Sequence, residues 1–129
     1  FLVSITDGIA AIVVAVEKII SAFEQSQGWQ EGEIALALLI ESASAFVNLA
    51  EICRASARVQ ALVFGAEDFC ADTGVTRTNS ARELLYARSA LVLHAAAFQL
   101  QAIDMVQINY RCWRRNAATR WSWDSAVKQ

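Results

Sequence analysis

Three carboxylates in this chain fall where parallel α/β proteins keep their chemistry. Glu41 closes an apolar run (IALALLI, residues 34–40), and Glu67 and Asp68 follow a second run (ALVF, residues 61–64) across Gly65 and Ala66. If both runs are strands, these acids stand at carboxyl ends, where the βα loops of such folds converge on ligands. A hard divalent cation such as Mg²⁺ takes one or two protein carboxylates and completes its shell with water and substrate oxygens. Glu41 and Asp68, on neighbouring strand ends, offer that pair. The same acids have a structural reading, in which each caps the helix that follows it.

Other reactive residues are less well placed. His94 lies within a helical stretch between Leu93 and Ala95 and reads as a packing or surface histidine. Cys70 follows Asp68 closely but has no cationic neighbour or paired histidine to activate it, and Cys53 reads as buried and inert. Cys53, Cys70 and Cys112 are odd in number, widely spaced and without a CxxC pair, which points to a reducing compartment. Residues 111–120 (RCWRRNAATR), with Trp113, Trp121 and Trp123 interleaved, offer groups that bind phosphates and stack on bases. An amphipathic helix with arginines on its wet face accounts for them as well. Since the rest of the chain is acidic and shows no nucleic-acid module, no nucleic-acid partner is expected.

The elements that must position the acids alternate. Residues 11–16 (AIVVAV) are a β-branched run of buried-strand type that passes into a helix over 17–27, stopped by Gly28. A second strand is predicted at 33–41 and a helix at 42–57, with Ser42 or Ser44 as its N-cap. A third strand spans 59–64 and ends at Gly65. A polar loop through Asp72, Gly74 and Arg77 then leads to a helix over 80–98, started by Asn79 or Ser80 with Glu83 closing a capping box. A fourth strand is predicted at 101–108 (QAIDMVQI). Strand and helix in strict alternation is the pattern of parallel crossovers, and the fold class is α/β.

Length and composition bound the answer. The 129 residues are 56% hydrophobic and 19% charged, which describes one well-buried domain over 1–129 with a divergent, basic, Trp/Arg-rich and helical tail at 111–129. A complete (β/α)₈ barrel needs about 250 residues. The barrel reading therefore implies a partial TIM barrel of about four parallel strands, lacking strands at both ends. Asp7 and Glu17 interrupt the apolar N-terminal stretch and leave only residues 8–16 uncharged, well short of the roughly 20 that a bilayer span needs. Lys18 is the first basic residue, so neither a membrane partner nor a signal peptide is expected.

Three longer motifs, residues 61–78 (ALVFGAEDFCADTGVTRT), 83–89 (ELLYARS) and 100–106 (LQAIDMV), resemble in that order the citrate lyase β-subunit family. That family includes the citramalyl-CoA lyases and belongs to the larger HpcH/HpaI aldolase group. Residues 39–43 (LIESA) are similar to its strand-end motif, usually written IETA, and 48–52 continue the match. The resemblance is strong over about residues 34–110. Beyond it, 12–17 resemble the family's IVVPKVE strand without its proline and lysine, and 114–129 resemble a helix ending in GKQ without its glycines.

The resemblance implies a TIM barrel, usually a homotrimer, that uses Mg²⁺ and an acyl-CoA thioester. Glu41 and Asp68 match the family's metal-binding Glu and Asp, and Glu67 stands beside them in a supporting position. The implied reaction cleaves a carbon–carbon bond in a citramalyl-CoA-like 3-hydroxyacyl-CoA, giving acetyl-CoA and a 2-keto acid such as pyruvate. It needs a general acid/base for its proton transfers. The chain departs from the family in having no arginine before Arg54, where the family places one to bind the substrate carboxylate. The family's N-terminal CoA-contacting basic residues and the aspartate of its C-terminal lid also lack counterparts. The alternative expectation is a catalytically inactive, truncated member that acts as a structural or regulatory partner. Cytoplasm and mitochondrial matrix both suit a reducing compartment.

Overall fold

Apolar runs bounded by glycine and polar residues become the centre of a parallel sheet. A computed structural model describes residues 1–8 and 10–104. Its strands are β1 (Leu2–Ile5), β2 (Leu36–Ile40), β3 (Val59–Phe64) and β4 (Gln101–Ile103), all parallel and in the order β1-β2-β3-β4. Ile5 pairs with Ile40 and Ile40 with Phe64, which brings the carboxyl ends of the first three strands level.

One face of the sheet carries Val3, Ile5, Leu36, Leu38, Ile40, Leu62 and Phe64, all buried. Helices cover it: α1 (Ala10–Gln27), α3 (Leu49–Arg54) and α5 (Leu85–Ala97) contribute Val13, Ile20, Leu49, Ile52, Leu91 and Ala95 to the same core. Successive side chains of a strand alternate between faces. The opposite face therefore carries Ser4, Leu39 and Val63, which are paired in register and less buried.

Four expectations about elements need correction. Residues 11–16 are helical, inside α1, and the strand before them is Leu2–Ile5. The β-branched run favours a strand locally, but Ile12, Val13, Val16 and Ile20 recur at helical spacing and their burial against the core overrides propensity. Gly28, with φ +70°, ends α1 in the left-handed conformation that glycine adopts without cost, and Trp29 N–H returns to the Glu24 carbonyl at 2.9 Å.

The helix expected over 42–57 is two, α2 (Ala43–Val47) and α3, broken at Asn48, whose side-chain amide donates to the Ser44 carbonyl at 3.0 Å. Ser42 is the N-cap, accepting from Ala45 N–H at 3.1 Å, and Ser44 is not. The polar stretch after Gly65 is helix α4 (Ala66–Thr73) rather than loop. The fourth correction is at residue 80: α5 is entered through a 3₁₀ turn, Arg82–Leu84, and the Glu83 carboxylate accepts from the backbone N–H and hydroxyl of Thr78, not from Asn79 or Ser80.

The strand expected over 101–108 is described as far as Ile103; the basic tail at 111–129 lies outside the described residues. Among the described residues no helix is long and apolar enough to cross a membrane.

At the amino ends of β2 and β3 sits an ion pair that the sequence reading did not find. Glu24, on α1, is fully buried, and both its oxygens receive Arg58, at 2.8 and 2.6 Å. Gly32 and Ile34 N–H groups donate to the same carboxylate, and Arg58 also donates to the Ser21 hydroxyl.

Candidate metal centre

Glu41 follows Ile40 at the end of β2 and returns to the face that carries Ser4 and Leu39. It is only 8% exposed. The Ser4 hydroxyl of β1 donates to its Oε1. Its other oxygen, Oε2, accepts no hydrogen bond among the described residues, where no fully buried side-chain oxygen lacks a partner. Oε2 therefore remains open to a ligand.

Gly65 ends β3 beside it, with its N–H on the Ile40 carbonyl at 2.9 Å. A Cβ at Gly65 would lie 2.6 Å from Glu41 Cβ and 3.0 Å from Oε2. Only a glycine leaves room for the glutamate.

The structural reading of Glu41 as a helix cap does not hold. The first turn of α2 is already served by Ser42 and by Asp72, whose Oδ2 accepts from Ala43 N–H at 2.8 Å. Asp68 lies in the first turn of α4, the helix that follows β3, the strand paired with β2. It is exposed and has no hydrogen-bond or ion-pair partner among the described residues. Glu67, its neighbour, is exposed and pairs with Arg77. Asp104, after β4, pairs with Arg88. Glu41 and Asp68 are thus left available by local structure, as is Asp7 after β1, whose carboxylate receives only the hydroxyl of the adjacent Thr6 at 3.5 Å.

The oxygens suit Mg²⁺. Among the described residues no group of three or more His, Cys, Asp or Glu side chains gathers to hold a metal, so no all-protein cage of the zinc type forms. Two carboxylates that leave the remaining positions to water and substrate are a magnesium pattern. Soft donors stand apart. Burial pushes the Cys53 thiol up to about 11, and burial followed by the Glu83 charge raises that of Cys70. His94 turns its Nδ1 to the Ala90 carbonyl of its own helix at 2.8 Å, near the α5 end that leads to the start of β4.

The loop over 75–81 borders this edge. Hydrogen bonds from the Thr78 backbone and hydroxyl hold the Glu83 carboxyl below the usual carboxylate range. The partner missed by sequence reading is Ser4. Its signal, alternation within a four-residue LVSI strand, was hidden by the stronger β-branched run that follows.

The family model for HpcH/HpaI aldolase/citrate lyase matches residues 5–128. The chain belongs to this family. It is 38% identical over 80 residues to the mitochondrial citramalyl-CoA lyase of Rattus norvegicus, covering 56% of this chain and 24% of the relative. It is 35% identical over 100 residues to the citrate lyase subunit beta of Leuconostoc mesenteroides subsp. cremoris, covering 78% of this chain and 33% of that one. The chain thus spans a quarter to a third of the length of these curated relatives, which are lyases by name.

Among solved structures, CitE of Mycobacterium tuberculosis in complex with magnesium and acetoacetate superposes with a TM-score of 0.58 at 27% identity, over 66% of this chain and 37% of that one. Haloferax volcanii malate synthase, in a lead(II) complex, superposes with a TM-score of 0.77 at 21% identity over 92% of this chain and 36% of its own, a likeness of fold. The four parallel strands are accordingly part of a TIM-barrel-type α/β fold.

Proposed function

We propose that Glu41 and Asp68 hold Mg²⁺ and that the chain is part of a carbon–carbon lyase acting on a citramalyl-CoA-like 3-hydroxyacyl-CoA, with acetyl-CoA and a 2-keto acid such as pyruvate as products. The observation that carries the reading is the two carboxylates that follow adjacent parallel strands, Glu41 directly after β2 and Asp68 in the first turn of the helix after β3, neither used as a side-chain cap nor paired with a cation among the described residues. When bound, the metal supplies Lewis-acid polarisation of the substrate's hydroxyl and keto oxygen.

The chain's own residues set the stage for that chemistry. Ser4 and Gly65 fix Glu41 in one pose. Glu67 has a supporting role, through its pair with Arg77 on the bordering loop. The described thiols and histidine are not placed to act as general base: both thiols are held protonated, and His94 is turned to its own helix.

One observation favours the second reading, an inactive member that acts as a structural or regulatory partner. Arg77 and Arg88 are paired with acids, Arg58 is buried on Glu24, and Arg54 stacks over the Phe98 ring at 4.9 Å, so that of the described arginines only the exposed Arg82 is not engaged. In the lyase reading the substrate carboxylate is met by Arg82 or by a group outside the described residues. A homo-oligomer, a trimer by family, and a reducing compartment such as the cytoplasm or mitochondrial matrix complete the proposal. The free thiols of Cys53 and Cys70 and the mitochondrial rat relative support the compartment.

Calorimetric titration of the chain with MgCl₂ in the presence of pyruvate tests the site. Saturable binding in the wild type that vanishes in the Glu41→Ala, Asp68→Ala double variant is expected. A folded wild-type chain without saturable binding overturns the metal assignment.

A further inference from the structure

Of the two carboxylates, Glu41 alone is built into the sheet. Ser4 pairs in register with Leu39, which puts its side chain on the face where Glu41 emerges two residues later. Its hydroxyl donates to Oε1, so that oxygen has one lone-pair direction occupied by a neighbouring strand. Gly65 closes the other side, with Oε2 lying 3.0 Å from where a Cβ would stand. The carboxylate is thereby held with one oxygen tied and the other presented.

Resting on the metal reading above, we propose that Ser4 is a positioning residue that makes Glu41 a one-oxygen ligand and so sets the choice between cations. Mg²⁺ demands near-ideal octahedral geometry and accepts single carboxylate oxygens. Ca²⁺ has more ligands, at longer distances, and readily takes a carboxylate through both oxygens. A glutamate whose Oε1 is engaged by a hydroxyl matches the first habit and obstructs the second. Removing the hydroxyl frees Oε1, lets the side chain rotate, and opens the two-oxygen mode. Partners of ligating carboxylates typically carry about 10- to 100-fold in metal affinity.

The test is parallel titration with MgCl₂ and with CaCl₂ on the wild type, Ser4→Ala and Ser4→Thr, with a thermal melt of each to confirm folding. Ser4→Ala is expected to weaken Mg²⁺ about tenfold while Ca²⁺ is held or strengthened, so that the Mg²⁺ to Ca²⁺ affinity ratio falls. Ser4→Thr, which keeps the hydroxyl, is expected to restore the ratio. A purely structural serine would weaken both ions together, and that result overturns the proposal. So does a Ser4→Thr ratio equal to that of Ser4→Ala, which also serves as the decisive comparison if the alanine variant fails to fold. A wild type that binds neither ion sinks the metal reading itself. A wild type that binds Mg²⁺ and a folded Ser4→Ala with the same ratio sink this inference alone.

Discussion

Two glutamates are withdrawn from water at opposite ends of the same sheet. Glu24, at the amino ends of β2 and β3, has both oxygens on Arg58 and accepts two backbone N–H groups as well. Glu41, at the carboxyl end of β2, is nearly as buried, yet only one of its oxygens has a partner among the described residues. Burying charge is costly unless it is paired and hydrogen-bonded. Where the pairing is complete, the group serves the fold. Where one oxygen stays at the surface, as at Glu41, a ligand can reach it. The division follows the general habit of α/β barrels, with stability at the strand amino ends and chemistry at the carboxyl ends.

The contrast breaks most severely at Arg58. Arg58→Ala leaves Glu24 buried and uncompensated, and its melting temperature should fall by more than about 10 °C in scanning calorimetry. Glu41→Gln, by contrast, should leave the melting temperature near that of the wild type while abolishing Mg²⁺ binding. Equal melting losses in the two variants would erase the distinction between the ends.

Acid titration sharpens it. The hydrogen bonds from Arg58 hold the Glu24 carboxyl at about 2, below its ordinary 4.5, against the opposing effect of burial. A depressed carboxyl stabilises the fold above its unfolded value, and that contribution is lost as pH falls from about 4.5 through about 2. Circular dichroism melts across this window should show the wild type losing stability that a Glu24→Gln variant never had.

Gly65→Ala comes next. The added methyl meets Glu41 Cβ at 2.6 Å. A cost of about 1–3 kcal/mol in denaturant unfolding and a weakened Mg²⁺ isotherm are expected together, because either the backbone or the carboxylate must move. Smallest is Asp72→Ala, which removes the acceptor for Ala43 N–H at the head of α2. It should cost about 1 kcal/mol and leave metal binding within a factor of two, if Glu41 takes no part in capping.

What the sequence made legible follows from the range of the forces involved. β2 and β3 were readable because their apolar runs are local and are bounded by glycine or charge, and β3 was placed at its observed limits. The position of Glu41 is legible because it follows such a run directly, whereas Asp68 comes three residues further on, inside the helix after β3. β1 and α1 were misplaced because the burial that makes residues 11–16 helical is supplied by the distant core. α4 reads locally as a loop because its last residues, Ala71, Asp72 and Thr73 before Gly74, are small and polar, while the residues that fix it, Ala66 and Cys70, face inward. The Glu24–Arg58 pair joins residues 34 apart, and nothing local announces it. Ser4 was lost with its strand.

The two inward-facing thiols give the fold a clock. Cys53 and Cys70 are buried, and both are held in the protonated, unreactive form. An alkylating reagent reaches either one only when the surrounding helices part. Cys53 sits on α3 and Cys70 on α4, so the rates at which the two are modified would time separately the opening of the layer behind the sheet and of the helix that carries Asp68.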